Sequence, residues 1–185
     1  MINLPTILTL ARILLLPVFI WLFFMERQWG AQTAYLLLQL YVLAAVTDFL
    51  DGYIARKYNK VTPLGTFLDP ISDKIFVATL LILMLASGRL EGLWIIPVII
   101  ILAREFMVSG LREYLGPLNV KLPVSKLAKW KTAVQMIALG VLIIGPYFPY
   151  GLLGGQILLS LAALITVITG WAYLKTGLDH MRKMP

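Results

Sequence analysis

The chain has 185 residues, 60% of them hydrophobic and 14% charged, with a formal net charge of +7. Soluble domains carry roughly 45–50% apolar and about 25% charged residues, so an ordinary soluble protein is excluded and one membrane domain over 1–185 is expected. There is no cysteine and a single histidine, His180, which excludes disulfides and thiolate metal sites and removes the usual imidazole base; any metal must be bound by oxygen.

Six apolar stretches follow one another, each near the ~20 residues needed to cross a hydrocarbon core of about 30 Å. They cover residues 4–25, 35–58, 67–87, 93–114, 126–144 and 152–174. Such long unbroken runs do not suit strands, so the expected fold is all-α, an integral membrane bundle of six transmembrane helices. The first run reads as a retained helix. No early basic residue precedes it, Arg12 lies inside it, and no small-residue cleavage site follows. Breakers fall at Gly30, at Pro63 and Gly65, at Gly88 and Gly92, at Gly116, Pro117 and Pro123, and at Gly145, Pro146 and Pro149. The chain shows no internal repeat and no low-complexity linker.

Basic residues set the expected orientation. Arg56, Lys57 and Lys60 lie between the second and third runs. Arg112, Lys121, Lys126, Lys129 and Lys131 lie around the link between the fourth and fifth, and Lys175, Arg182 and Lys183 lie in the tail. The opposite side has only Arg27 and Arg89, offset by Glu26 and Glu91. Both termini are therefore expected in the cytoplasm, in a multi-pass protein of the cell membrane whose positive charge faces anionic lipid headgroups rather than nucleic acid.

Four of the nine acidic residues, Asp48, Asp51, Asp69 and Asp73, fall within 26 positions on that same side. An ionisable group at membrane depth costs about 3 kcal/mol or more and is a functional hypothesis by default. Four carboxylates together repel one another, so a cationic partner is expected. Helical spacing puts Asp48, Asp51, Gly52, Ala55 and Arg56 on one face, and Asp69 and Asp73 on one face of the next helix. A short turn would make the two helices antiparallel neighbours, so that the carboxylates converge. Gly52 and Ala55 leave that face low enough for a ligand to approach the backbone. Simpler readings stand beside this one: Asp69-Pro70 as a helix N-cap and first position, Asp51-Gly52 as a turn, and Arg56-Lys57 as orientation signals.

The spacing Asp48-x2-Asp51-Gly52-x2-Ala55-Arg56-x8-Gly65-x3-Asp69-x3-Asp73 resembles the signature of the CDP-alcohol phosphotransferases, with no gap or substitution. The stretches 4–12, 103–113 and 129–135 are similar to the bacterial phosphatidylglycerophosphate synthase branch, apart from Thr6, where many relatives carry Asn. The resemblance implies transfer of a phosphatidyl group from CDP-diacylglycerol to an alcohol, with release of CMP. It also implies two divalent ions, Mg²⁺ or Mn²⁺, held by Asp48, Asp51 and Asp69, with Asp73 approaching the second ion and acting as general base. Gly52, Ala55, Arg56 and Thr62, together with Thr6, would contact the CDP-lipid.

The acceptor is read from cations. Arg104 and Arg112 are eight apart on one helical face, and Lys129 and Lys131 open the next helix, so a phosphorylated alcohol is expected. Glycerol 3-phosphate fits, and inositol phosphate fits by charge; serine would not need such a cluster. Alternatively the lysines snorkel to headgroups, or Arg104 pairs with Glu105 or Glu113, although adjacent helical residues face each other poorly. A divalent-cation channel or transporter is a different class, disfavoured because the carboxylates occupy one membrane side. The resemblance further implies a homodimer, for which Gly140 and Gly145, or Gly151, Gly154 and Gly155, would allow close helix approach; the same glycines serve equally within one bundle.

Overall fold

The apolar runs form helices in the expected number and order: α1 (Leu4–Trp29), α2 (Ala31–Lys57), α3 (Pro63–Ala86), α4 (Ile95–Leu115), α5 (Lys126–Ile144) and α6 (Gly151–Met181). The computed structural model describes residues 4–57, 63–116 and 126–181, with side chains at 7, 9–47, 63–65, 67–116 and 127–181. No strand occurs among the described residues. Four stretches, Thr9–Trp29, Gly92–Leu115, Leu127–Tyr147 and Gly151–Met181, are long and apolar enough to cross a membrane, and Ala31–Thr47 adds a shorter apolar helix. The protein is thus an all-helical, multi-pass membrane protein. Helices suit that medium because they satisfy every internal backbone group without water.

Gly30 alone separates α1 from α2, reversing the chain at φ 64°. A left-handed conformation costs glycine little, which is why so short a turn is possible there. The α5–α6 connection is tightened by a single 3₁₀ turn at Gly145–Tyr147.

The start of α3 differs from expectation, the extent of α2 through residue 57 agrees with it, and both bear on the reading of the carboxylates. Helix α3 begins at Pro63 rather than at residue 67, because proline needs no N–H partner in the first turn. Asp69-Pro70 therefore lies inside the helix and is not an N-cap. Helix α2 continues through Asp51-Gly52 to Lys57, so that pair is not a turn.

Helix α1 packs on both α2 and α3, α6 packs on α4 and α5, and α2 meets α5. Among the described residues α1, not α2, is the principal neighbour of α3; α2 reaches α3 through the stacked rings of Tyr41 and Phe76, 6.1 Å apart. Phe76 also meets Phe19 edge-on at 5.5 Å, and the Tyr41 hydroxyl donates to the Met136 carbonyl on α5 at 2.7 Å. These rings lie in the main core with Leu37, Leu80, Ile101, Leu139 and Leu159. Large apolar side chains such as Ile99, Phe106, Ile157, Leu164 and Trp171 point outward, as a hydrocarbon surrounding permits.

The glycines serve this bundle. A Cβ at Gly151 would lie 2.7 Å from the Gly145 carbonyl oxygen, and one at Gly155 would lie 2.7 Å from Leu142 Cγ. One at Gly140 would touch Tyr41, whereas one at Gly154 meets nothing within 4 Å. The close approach that Gly145, Gly151 and Gly155 allow is thus used within the chain, and they lend no support to a dimer contact. Gly151→Ala should lower stability by about 1–3 kcal/mol because backbone must move, while Gly154→Ala should change it by less than about 0.5 kcal/mol. Thermal unfolding in detergent of the two variants beside the parent checks the contrast.

Candidate active site

At one end of the bundle, two carboxylates of α3 are held from α1. Asp69 and Asp73 are one helical turn apart, ~6 Å along the axis. The Thr9 hydroxyl donates to Asp69 Oδ1 at 2.6 Å, and Arg12 Nη1 donates to Asp73 Oδ1 in an ion pair. Arg12 is 6% exposed on its side chain and Asp73 52%, so the cation lies inside the bundle and the carboxylate faces out. The charge interrupting the first apolar run in the sequence thus has its counter-ion sixty-one residues on.

Asp73 also lines a cavity of about 300 Å³ whose walls include Lys74 from α3, Arg104, Glu105 and Arg112 from α4, and Lys131 from α5. Among the described residues four cationic side chains face two carboxylates there, a surplus of two positive charges. The cations are fixed in place by specific contacts. Glu105 Oε1 accepts from Arg104 Nη1 at 2.9 Å and from Lys131 Nζ at 2.5 Å, tying α4 to α5. Lys74 Nζ donates to the Ser109 hydroxyl. The guanidinium groups of Arg104 and Arg112 lie 5.6 and 5.5 Å from the ring centre of Tyr173 on α6, within cation–π range. Gly170 makes room for this arrangement: a Cβ there would come within 3.0 Å of Arg104 Cγ.

Several expectations change here. Arg104 does pair with Glu105, although the two are adjacent in sequence; both side chains are long enough to curl towards Lys131, and the shared carboxylate draws them together. Lys131 is buried in the bundle rather than snorkelling to headgroups. Arg104, Arg112 and Lys131 line the cavity beside Asp73, whereas Lys129 is exposed and is not among its lining residues. The backbone of α2 carries Asp48, Asp51, Gly52, Ala55 and Arg56, whose side chains lie outside the described residues, as do Thr62 and the side chain of Thr6. Thr9, Arg12, Lys74 and Glu105 join the site from tertiary contacts alone. Arg12 had a visible signal, a lone charge within an apolar run.

Among the described residues no group of three or more acidic or imidazole side chains is placed to hold a metal. Asp69 and Asp73 nevertheless offer exposed carboxylate oxygens on one face of α3. That donor chemistry fits a hard divalent cation such as Mg²⁺ or Mn²⁺.

A helical membrane bundle that sets the α3 carboxylate Asp73 beside a cationic cavity is suited to an enzyme acting on phosphorylated substrates, and comparison with known proteins shows the family: the chain belongs to the CDP-alcohol phosphatidyltransferase family, whose profile matches residues 2–172. It is 48% identical over 176 residues to the CDP-diacylglycerol--glycerol-3-phosphate 3-phosphatidyltransferase of Rickettsia typhi, covering 94% of this chain and 96% of that one. The enzyme of the same name from Pseudomonas fluorescens is 37% identical over 185 residues, covering 97% and 92% respectively. A CMP-forming cardiolipin synthase from Oryza sativa subsp. japonica is 42% identical over 154 residues, 77% of this chain and 46% of that protein. Proteins named for two different products thus resemble this chain at comparable identity.

The shared carboxylate sets a stability test. Glu105→Gln leaves Lys131 buried without its counter-charge and should cost about 3–5 kcal/mol. Adding Lys131→Met should recover most of the loss, since the buried ammonium that lost its counter-charge is then removed. Detergent unfolding of both single variants and the double variant checks this.

Proposed function

We propose that this chain transfers the phosphatidyl group of CDP-diacylglycerol to glycerol 3-phosphate, forming phosphatidylglycerol phosphate and CMP at the cytoplasmic face of the cell membrane. The observation that carries the reading is the juxtaposition of Asp73 with a cavity whose described lining holds a surplus of two positive charges. A carboxylate base and a phosphate-binding wall are the two things this acceptor requires. The names of the relatives from Rickettsia typhi and Pseudomonas fluorescens support the same substrates.

In this reading Arg104, Arg112 and Lys131 bind the acceptor phosphate, with Arg104 and Arg112 presenting planar forks suited to its oxygens. Lys129, exposed at the start of α5, meets the acceptor only at the rim. Asp73, held by Arg12, takes the proton from the acceptor hydroxyl as that oxygen attacks the lipid-bearing phosphorus. The phosphoanhydride bond to CMP breaks, and CMP leaves with the electron pair. Thr6, Gly52, Ala55, Arg56 and Thr62 would bind the CDP-lipid. Asp48, Asp51 and Asp69, with Asp73, would hold two divalent ions. Such ions supply charge neutralisation of the pyrophosphate and of the entering and leaving oxygens. The 1–185 chain acts as one domain, and we assign it a homodimeric state on family membership alone.

Measurements of turnover, ion flux and binding test the reading. CMP release should be greatest with glycerol 3-phosphate when it is compared in parallel with inositol phosphate, serine and unphosphorylated glycerol. A preference for serine or glycerol would overturn the phosphorylated acceptor, and Mg²⁺ or Mn²⁺ flux without CMP release would make the protein a channel or transporter. Arg104→Ala or Arg112→Ala should weaken acceptor use about 10- to 150-fold, the loss of one charge-assisted contact of about 1.5–3 kcal/mol, with little change in affinity for the CDP-lipid. Asp73→Asn should abolish turnover while CDP-lipid binding persists, and chelation by EDTA should stop turnover reversibly; turnover that survives EDTA would remove the metal assignment.

A further inference from the structure

A second polar cavity lies at the other end of the bundle. Glu26 is fourteen residues from Arg12 on α1, ~21 Å along the helix. Glu26 and Arg89 are both more than nine-tenths buried and pair at 2.5 Å through Oε1 and Nη2. Arg89 is anchored further: Nη2 donates to the Ile143 carbonyl at 3.1 Å, its own carbonyl accepts from Gln156 Nε2 at 2.8 Å, and its guanidinium lies 5.0 Å from the Phe23 ring centre. Yet Arg89 Nε has no hydrogen-bond partner, and Glu26 Oε2 has none in good geometry, although the Tyr147 hydroxyl lies beside the Glu26 carboxylate and interacts with it. Both residues line a cavity of about 260 Å³ shared with Arg27, Ser87 and Tyr147. A buried donor left open beside an incompletely satisfied acceptor costs about 1–3 kcal/mol unless water or a ligand satisfies it.

The chemistry of that ligand can be read from the walls. Arg89 Nε and the Arg27 guanidinium call for an anionic oxygen, and Glu26 Oε2 calls for a hydroxyl or ammonium donor. Two guanidinium groups against one carboxylate leave one positive charge, which a phosphodiester with a neutral hydroxyl-bearing group cancels. A phosphoethanolamine group would leave that charge uncancelled, and a phosphocholine group has no N–H or O–H donor. The surroundings favour a lipid as the source of that group. A shallow apolar groove between α1 and α3, lined by Phe24, Leu83 and Ala86 and enclosing only about 20 Å³, adjoins the polar cavity and shares Phe23, Arg27 and Ser87 with it, and the exposed Phe24 faces the hydrocarbon there.

We propose that this end of the bundle binds one phospholipid with a phosphoglycerol headgroup, its phosphate on Arg27 and Arg89, its hydroxyl on Glu26, and an acyl chain along the α1–α3 groove. The site is independent of the reaction assigned above and lies at the opposite end of α1 from Arg12. A soluble glycerophosphodiester shares the headgroup chemistry but would not use the groove.

Native mass spectrometry of the full chain, released from nanodiscs of equal parts phosphatidylglycerol and phosphatidylcholine, reads the site directly. The parent chain and Asp73→Asn should both retain one phosphatidylglycerol in preference to phosphatidylcholine. Arg27→Gln, at an exposed position that leaves the buried pair intact, should reduce that retention about 10-fold, the loss of one charge-assisted contact. Its rate of CMP release should not change, so failure of the reaction assignment and failure of this site are read separately. Equal retention of the two lipids by the parent, or unchanged retention in Arg27→Gln, would overturn the site and leave an internal ion pair. In nanodiscs with phosphatidylethanolamine in place of phosphatidylcholine, phosphatidylethanolamine retained as strongly as phosphatidylglycerol would overturn the headgroup assignment. Displacement of the lipid by soluble glycerophosphoglycerol at concentrations matching the lipid's own would overturn the lipid assignment.

Discussion

A charge placed between transmembrane helices has no water to solvate it, so it must find its counter-ion inside the bundle. Among the described residues the buried ionic side chains are Arg12, Glu26, Arg89 and Lys131. Arg12 pairs with Asp73, Glu26 with Arg89, and Lys131 with Glu105. Each pair joins different elements: α1 to α3, α1 to the link before α4, and α5 to α4. Apolar faces discriminate poorly between neighbours when lipid tails are equally apolar. Unpaired charges at membrane depth cost several kcal/mol, so these three pairs restrict which helices lie together and in what register.

The same pairs shape the candidate site. Arg12 lies inside while Asp73 is half-exposed, which holds the carboxylate from behind and leaves it directed towards the cavity. Glu105 accepts from two cations at once, so Arg104 and Lys131 sit at a set separation although they come from different helices. Tyr173, reached because Gly170 lets α6 approach α4, faces both Arg104 and Arg112. A wall of cations is thus pre-arranged, with much of its side-chain entropy already lost before any ligand arrives. Such pre-organisation favours binding of a small anion over a mobile lysine brush of equal charge.

The two ends of the molecule treat buried charge differently. At the aspartate end the described cavity lining carries a surplus of two positive charges, and the cavity opens beside α3. At the far end a single ion pair is anchored by backbone and amide groups yet leaves the Arg89 Nε donor open. The polar walls at both ends depend on α1, whose successive turns carry Thr9 and Arg12 and then Phe23, Glu26 and Arg27.

Composition and periodicity alone determined that the chain is a bundle of six helices, because apolar runs of this length between glycines and prolines have few other solutions. The grouping of four aspartates, and the fact that Asp69 and Asp73 share a face, also followed from spacing, since helical geometry links residues four apart. The start of α3 at Pro63 did not, because proline is equally compatible with a break and with a first helical position. Nor did the neighbour of α3, which is α1 rather than the sequence-adjacent α2, since chain proximity does not dictate side-by-side packing. The partners of Arg12 and Lys131 lay sixty-one and twenty-six residues away, and the Arg104–Glu105 contact ran against local helical geometry because a third residue, Lys131, draws the carboxylate between them. Local spacing acts within one helix, whereas the pairing of buried charges depends on which helices meet, and only the tertiary structure decided that.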